Sequence, residues 1–329
     1  MQKILQQVRQ VLEKEGALKP GVLADRLSMS RQMMHRYLKM LLEQKEIIPL
    51  GEGPHRQYKL ATESSTTRVE SDFLFCQEHL LPAFVADFDR HYAPLASSFL
   101  ADKSSEGTLN FGFMIEAAAV YSSNIEGNSL NLNSFLNSQK TPKIHRPKEA
   151  QEIEDLVKAY HLAFEHDFCE NKLLKAHGIL SRDFVAKSRS GVYRQEPVGV
   201  FSEAGLQYMG IEPEFVKSEM KILCEKIEYL LEQELSVAES FFWASWTHLT
   251  MVLIHPFSDG NGRISRLSEK WFLTQKLGKA WAMFPSEKWY ALHRSKYYES
   301  LRVGVNYWEV NGQKTKNFYD LLPNAFEIL

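Results

Sequence analysis

His255-Pro256-Phe257-Ser258-Asp259-Gly260-Asn261-Gly262-Arg263-Ile264-Ser265-Arg266 decides how the rest of this chain is read. An apolar run ending at Ile254 leads into it, and a second helical pattern starts inside it and continues to Leu277. Pro256 stops the first helix, because proline lacks the N–H that the next turn would use. Gly260 and Gly262 bracket Asn261, so the backbone can take positive φ and turn successive N–H groups toward one point. Those groups sit at a helix N-terminus, where the macrodipole also favours an anion. Arg263 and Arg266 share a helix face and can both donate to phosphate oxygens. Asp259 adds a hard carboxylate oxygen of the kind that a phosphate-bridging Mg²⁺ takes. His255 is the side chain in the window able to accept a proton near neutral pH. A glycine-rich turn with two solvated arginines explains any two of these residues, but not all of them within one short window. The stretch reads as a polyphosphate loop beside a general base.

Outward from this loop the chain is mainly helical. Periodicity predicts helices near 72–89, 110–126, 147–167, 171–186, 212–233, 238–254, 262–277, 288–305 and 315–327. Period-two alternation is confined to the region around Tyr193–Met209. There Val198–Phe201 and Leu206–Met209 flank the turn-like Ser202-Glu203-Ala204-Gly205, which predicts a β-hairpin. Tyr121-Ser122-Ser123-Asn124-Ile125-Glu126-Gly127-Asn128 ends one of the helices, with Gly127 suited to a left-handed C-cap and Glu126 on the last turn.

The loop resembles the Fic family pattern HxFx[DE]GNGRxxR, matched at His255, Phe257, Asp259, Gly260, Asn261, Gly262, Arg263 and Arg266. The likeness extends over roughly 70–329 and includes Gly191-Val192-Tyr193-Arg194 ahead of the hairpin. It implies a helical fold with a small β-hairpin flap, and transfer of AMP from ATP-Mg to a Tyr, Thr or Ser hydroxyl of a protein, another protein or this one. On that resemblance His255 is the general base and Asp259 the Mg²⁺ ligand. Gly260, Asn261 and Gly262 would hold the α- and β-phosphates, and Arg263 and Arg266 the β- and γ-phosphates. Phe257 would anchor the loop. The flap residues Val198, Gly199 and Val200 would align the target by main-chain pairing. The upstream segment is similar to the family's inhibitory pattern [ST]xxxE[GN] at Ser122, Glu126 and Gly127, in a helix of about 110–127. That implies a brake in which Glu126 pairs with Arg266 and blocks the γ-phosphate. Some relatives also remove AMP with the same glutamate, and the sequence leaves that open, as it does the nucleotide base. Tyr297 and Tyr298 are candidates to stack on that base, with core packing as the competing role.

The first 62 residues form a separate domain in this reading, joined by a polar linker at 63–70 to a Fic domain at 71–329. Ile4, Leu5, Val8, Val11 and Leu12 give one apolar helical face. Val22, Leu23 and Leu27 follow Pro20-Gly21, and Met34, Leu38 and Leu41 face inward from a third helix with Ser30 as its N-cap. Ile47–Leu50 and Gln57–Leu60 flank a glycine-rich tip, Gly51-Glu52-Gly53-Pro54. Three helices and a β-ribbon resemble the winged helix-turn-helix family. That would place Arg31, Gln32, His35, Arg36 and Lys39 on an outer face able to enter a DNA groove, with Arg56 near phosphate. The segment carries eleven Lys/Arg against six Asp/Glu in a chain of net charge −2, an asymmetry that hints at a polyanion partner for this part alone. A solvated basic face on a protein-binding or dimerisation module reads equally well. The whole chain then has two functional readings: an adenylyltransferase, or a DNA-binding transcriptional regulator that senses a nucleotide.

Composition is that of a soluble globular protein, 44% hydrophobic and 24% charged. Apolar runs fall short of the ~18–20 residues that cross a bilayer, and no signal-peptide pattern opens the chain, so a cytoplasmic protein without membrane contact is expected. Cys76, Cys169 and Cys224 show neither a disulfide framework nor metal spacing. Apolar and aromatic residues at helix ends would suit a homodimer, without deciding for one.

Overall fold

Helical spacing of apolar residues builds the N-terminal unit. Leu5, Val8 and Leu12 from α1 (Gln2–Glu15), Leu23 from α2 (Pro20–Arg26), and Met34, Leu38 and Leu41 from α3 (Arg31–Glu43) are all buried in one core. Ser30 caps α3 through its Oγ, which accepts the Met33 N–H at 3.2 Å. Strands β1 (Ile47–Leu50) and β2 (Gln57–Leu60) pair antiparallel with Ile47 opposite Leu60. Leu18 exchanges two backbone hydrogen bonds with Tyr58, tying the hairpin to the α1–α2 loop. The computed structural model describes residues 2–43, 46–50, 56–61, 78–105, 108–140, 142, 145, 147–202 and 205–329. The expected linker at 63–70 and the hairpin tip at Gly51–Pro54 lie outside the described residues.

The chain divides into one compact unit of Met1–Cys76 with Gly304–Gly312, and a second of Gln77–Val303 with Gln313–Leu329. The segment 304–312, placed by sequence in the second domain, groups with the first, and the reason is visible on α3. Trp308 lies parallel to His35, with ring centroids 6.1 Å apart, and Lys39 Nζ is 5.6 Å from the Trp308 centroid. Lys39 is therefore 2% exposed rather than on an outer face. Burial, with the charges of Arg31 and Arg56, lowers the His35 pKa to about 4, which keeps its ring neutral. Of the five residues expected to face DNA, Arg31 and Gln32 are exposed, Arg36 and His35 are half-buried, and Lys39 is covered.

The second unit is helical: α4 (Leu81–His91), α5 (Ala93–Ser105), α6 (Thr108–Ile125), α7 (Leu132–Ser138), α8 (Lys148–Glu165) and α9 (Glu170–Leu180). A hairpin of β3 (Gly199–Ser202) and β4 (Gly205–Met209) follows, and then α10 (Pro213–Glu232), α11 (Val237–Ile254) and α12 (Asn261–Leu277). The chain closes with α13 (Ser286–Leu292), α14 (Arg294–Ser300) and α15 (Gly312–Tyr319). Helix α11 is apolar on all sides and forms the centre, as an all-round hydrophobic helix must. A capping box starts it: Ser236 Oγ accepts Glu239 N–H at 3.2 Å, and Glu239 Oε2 accepts Ser236 N–H at 2.7 Å. Around its first turns Phe88, Phe241, Trp281, Phe284 and Phe326 stack edge and face with centroids about 5–6 Å apart.

Three differences from the sequence pattern have local causes. The helix expected over 288–305 breaks at His293, whose N–H and Nδ1 both engage the Trp289 carbonyl and so compete for one acceptor. The helix expected at 315–327 stops at Tyr319, and Pro323 then opens a 3₁₀ segment. The first hairpin strand begins at Gly199, not Val198, with a bulge between Val200 and Phe201. Helices α5 and α7 have no counterpart in that pattern.

Helix α12 carries an unusual load of buried charge. Lys270 Nζ donates to the Phe284 carbonyl (2.6 Å) and pairs with Glu287 Oε2, while Tyr160 donates to Glu287 Oε1 at 2.7 Å. All three side chains are essentially inaccessible. Removing one member leaves the other as a bare buried charge. Glu287→Ala should lower unfolding free energy by about 3–5 kcal/mol in urea denaturation, and Lys270→Met in the same chain should recover most of that loss.

Candidate active site

The loop between α11 and α12 is shaped by backbone constraints first. His255 caps α11 in the left-handed region at φ 53°, ψ 59°, with its N–H on the Met251 carbonyl. Gly260 takes φ 79° immediately before α12, a conformation that side chains with a Cβ resist. Arg194, 4% exposed, fixes the entry to the loop. Its Nε donates to the His255 carbonyl at 2.6 Å, Nη1 to Glu196 and Nη2 to the carbonyls of Ile211 and Ile254. One guanidinium thus ties the base of the hairpin to the end of α11. Tyr208 adds a second tie through its hydroxyl to the Leu253 carbonyl at 2.6 Å.

His255 Nδ1 lies 3.1 Å from the Val252 carbonyl. A carbonyl can only accept, so Nδ1 carries the proton and Nε2 is left with its lone pair. Burial lowers the His255 pKa, with the Arg194 charge acting the same way against Val252, Glu126 and Asp259, so the ring is neutral at physiological pH. Asp259 is exposed, and its Oδ1 takes the Gly260 N–H at 2.6 Å. The side chain of Asn261 is engaged within the loop. Its Oδ1 accepts the Phe257 N–H at 2.9 Å and its Nδ2 donates to the Phe257 carbonyl at 2.8 Å, so it clamps the loop. The N–H groups of Asn261, Gly262 and Arg263 belong to the first turn of α12 and have no intrahelical acceptor.

Arg263 rests over the Phe184 ring, 4.4 Å from its centroid, with Glu152 at 3.7 Å and a buried Nε that has no partner. Arg266 is fully buried. Its Nε donates to Ser122 Oγ (2.9 Å), Nη1 to Tyr297 Oη (3.1 Å), and Nη2 to both the Ser122 carbonyl (3.0 Å) and Glu126 Oε1 (2.6 Å). Glu126 follows the C-terminus of α6, where Gly127 takes φ 97° and its N–H caps Asn124. Burial raises the Glu126 carboxyl, but the Arg266 charge and hydrogen bond, with Arg263 and His255, outweigh it and hold the group below its usual range. A Cβ on Gly262 would fall 2.2 Å from Glu126 Oε1. The carboxylate therefore lies directly over the start of α12, and glycine is what lets it approach. The family resemblance singled out each of these residues, and the fold brings Ser122, Glu126, Gly262 and Arg266 together across about 140 positions.

Residues 167–273, from just before α9 to within α12, match the family described as Fic/DOC. The chain carries a Fic/DOC domain. The fold agrees: a Fic family protein from Desulfovibrio desulfuricans G20 superposes with TM-score 0.55 at 24% identity, over 75% of this chain and 73% of that one. A Fic domain containing signaling protein from Bacteroides thetaiotaomicron VPI-5482 gives 0.53 at 17% identity, over 76% and 94%. Among curated proteins, protein adenylyltransferase fic-1 of Caenorhabditis briggsae is 26% identical over 184 residues, 54% of this chain and 34% of that protein. Protein adenylyltransferase Fic of Culex quinquefasciatus is 37% identical over 86 residues, 26% of this chain and 16% of that protein. The chain thus spans about a third or less of the curated relatives that it matches. The Ser122–Gly127 segment and α14 both lie outside the matched Fic/DOC stretch.

Sequence reading missed His177 on α9 as a support of the Fic loop. It is fully buried, stacks on Phe257 at 3.6 Å, donates from Nε2 to the Asp259 carbonyl (2.9 Å) and accepts the Gly191 N–H at Nδ1 (3.0 Å). A lone histidine in a helix gives no periodic signal. Its proton inventory shows why it must stay neutral, since a second ring proton would oppose the Gly191 N–H. Burial accordingly lowers its pKa from 6.5 to about 4. The unfolded chain binds this proton more readily, so stability is intact above pH 6.5 and falls as pH drops toward 4, by about 3 kcal/mol. His177→Phe keeps the stack but does not titrate. The loss of stability between pH 7 and 4.5 should shrink by that order in the variant, read from urea unfolding at each pH.

Proposed function

We propose that this chain is a protein adenylyltransferase that moves AMP from ATP to a Tyr, Thr or Ser hydroxyl of a protein, and that Glu126 restrains it. The observation that carries the reading is His255, held neutral with Nδ1 tied down and Nε2 free, beside a helix start whose N–H groups have no intrahelical acceptor. The matched Fic/DOC stretch and the adenylyltransferase names of its relatives support it. In the reaction the target oxygen attacks the α-phosphorus, its proton passes to His255 Nε2, and the bond to pyrophosphate breaks. The first-turn N–H groups, Arg263 and Arg266 neutralise the phosphate oxygens. The hairpin edge at Gly199–Phe201, unpaired among the described residues, is the place for a target strand to add.

A Mg²⁺ ion fits the residues present. Asp259 is an exposed residue with one oxygen on Gly260 N–H, and among the described residues no group of three acids, His or Cys gathers into a closed site. A single carboxylate is what Mg²⁺ needs when phosphates and water complete its shell. Such an ion would add Lewis-acid stabilisation to the phosphate charge.

Glu126 occupies the Arg266 donor that a γ-phosphate needs, which is the basis of the restraint. The reading as a DNA-binding regulator has less support, because Trp308 covers Lys39 and stacks beside His35 on the face that would enter a groove. A cytoplasmic location remains part of the proposal; no helix among the described residues is long and apolar enough to cross a membrane.

Transfer from α-labelled ATP, with cell lysate as a source of targets, tests the reading. Glu126→Gly should raise labelling by roughly tenfold or more, the worth of a charged hydrogen bond. Adding His255→Ala should cut it by about 10²–10⁴-fold while ATP still binds. Absence of labelling in every form would remove the transferase reading.

A further inference from the structure

Both halves of the Glu126–Arg266 pair are held from one helical turn. On α14 the adjacent Tyr297 and Tyr298 point to different partners. Tyr297 is buried and its hydroxyl oxygen accepts Arg266 Nη1 at 3.1 Å. Tyr298 is half-buried, and its hydroxyl donates to the Ile125 carbonyl at 3.0 Å, one residue before Glu126. For Tyr297, buried as it is, core packing is the role of the ring.

The bond behind Arg266 continues into the core with a fixed direction. Arg266 can only donate, so the Tyr297 oxygen accepts, and the phenol's single proton goes to His248 Nε2 at 3.0 Å. His248 then donates from Nδ1 to Glu269 Oε2 at 2.7 Å, which also accepts the Tyr290 hydroxyl at 2.9 Å. All of these side chains are buried. Burial raises the Tyr297 pKa against the pull of Arg266, so the phenol keeps the proton that this direction requires. Ser122 supplies the remaining contacts of Arg266 through Oγ and its carbonyl. The guanidinium is thus held from behind whether or not Glu126 is in place, whereas Glu126 depends on where the end of α6 is held.

We infer that α14 is the clamp of this site: Tyr297 is a positioning residue that keeps Arg266 aimed at a phosphate, and Tyr298 a regulatory one that holds Glu126 over it. The inference rests on the adenylyltransferase reading with Glu126 as its restraint, and extends it to a helix outside the matched Fic/DOC stretch. The two tyrosines make opposite predictions although they are neighbours. Losing the Tyr298 hydroxyl loosens only the restraint. Losing the Tyr297 hydroxyl loosens the arginine that ATP itself uses.

The test compares the full chain with Tyr298→Phe, Tyr297→Phe, Glu126→Gly and each tyrosine variant combined with Glu126→Gly. Labelling from α-labelled ATP is read beside calorimetric binding of ATP and of AMP. Tyr298→Phe alone should raise labelling and tighten ATP by about two- to tenfold, the range for one neutral hydrogen bond, and should add nothing to Glu126→Gly. Tyr297→Phe in the Glu126→Gly chain should weaken ATP about tenfold and leave AMP binding unchanged, since AMP has no γ-phosphate. A general packing defect would weaken ATP and AMP alike, and that result overturns the role of Tyr297. An active Glu126→Gly chain with no gain from Tyr298→Phe overturns the role of Tyr298. If Glu126→Gly itself does not label, the transferase reading fails, but the clamp is still decided by the ATP and AMP affinities.

Discussion

The guanidinium of Arg266 is the fixed point around which the second unit is arranged. A guanidinium does not give up its proton, and its charge cannot be taken out of water without partners on every side. Arg266 is inaccessible, and α6, α14 and the residue after α6 each supply an acceptor: Ser122 twice, Tyr297 and Glu126. Packing those helices around α12 is therefore coupled to satisfying one charge. The same helix carries Glu269 and Lys270 into the core one turn later, each with its own partners. A helix loaded in this way holds its position by hydrogen-bond geometry as well as by the packing of Ile264, Leu267, Trp271, Phe272 and Leu273.

The asymmetry of the Glu126–Arg266 pair is informative. The arginine side chain is fully buried and the glutamate side chain is 29% exposed. Glu126 can leave toward solvent without opening the core, while Arg266 stays tied to Ser122 and Tyr297. An arriving phosphate would replace one negative charge with another over the start of α12. The exchange leaves the buried cation compensated throughout, so occupancy of the site can change without a step that strands a charge.

The loop preceding α12 is shaped by carbonyl acceptors. Arg194 gathers the carbonyls of Glu196, Ile211, Ile254 and His255, and His177 bridges Gly191 and Asp259. Asn261 closes the turn on Phe257 in both directions. The left-handed conformation of His255 is costly in isolation and persists because these bonds over-determine it. The hairpin, the end of α11 and the start of α12 are thereby tied together, which fixes where the hairpin edge stands relative to His255.

Most of the shape of the 255–266 loop was legible in sequence because it is set locally. His255 to Arg266 form one turn and one helix start, where glycine positions, a proline stop and the three-residue spacing of the arginines act over short range. The long helices and both hairpins were legible for the same reason, since periodicity reports which face is buried. Helix ends were less so: His293 and Pro323 broke helices through side-chain and backbone details that periodicity averages away. What only the tertiary structure decided is which distant polar groups share a buried space. The Asn261 side chain clamps the loop and leaves only its backbone N–H for a phosphate; Lys39 looked solvent-facing and lies under Trp308. His177 carried no pattern, and nothing in the sequence around Tyr297 and Tyr298 pointed to Arg266 or Ile125 as their partners. A buried hydrogen bond is set by the partner across the core, and the spacing of residues along one chain segment holds no record of what faces it.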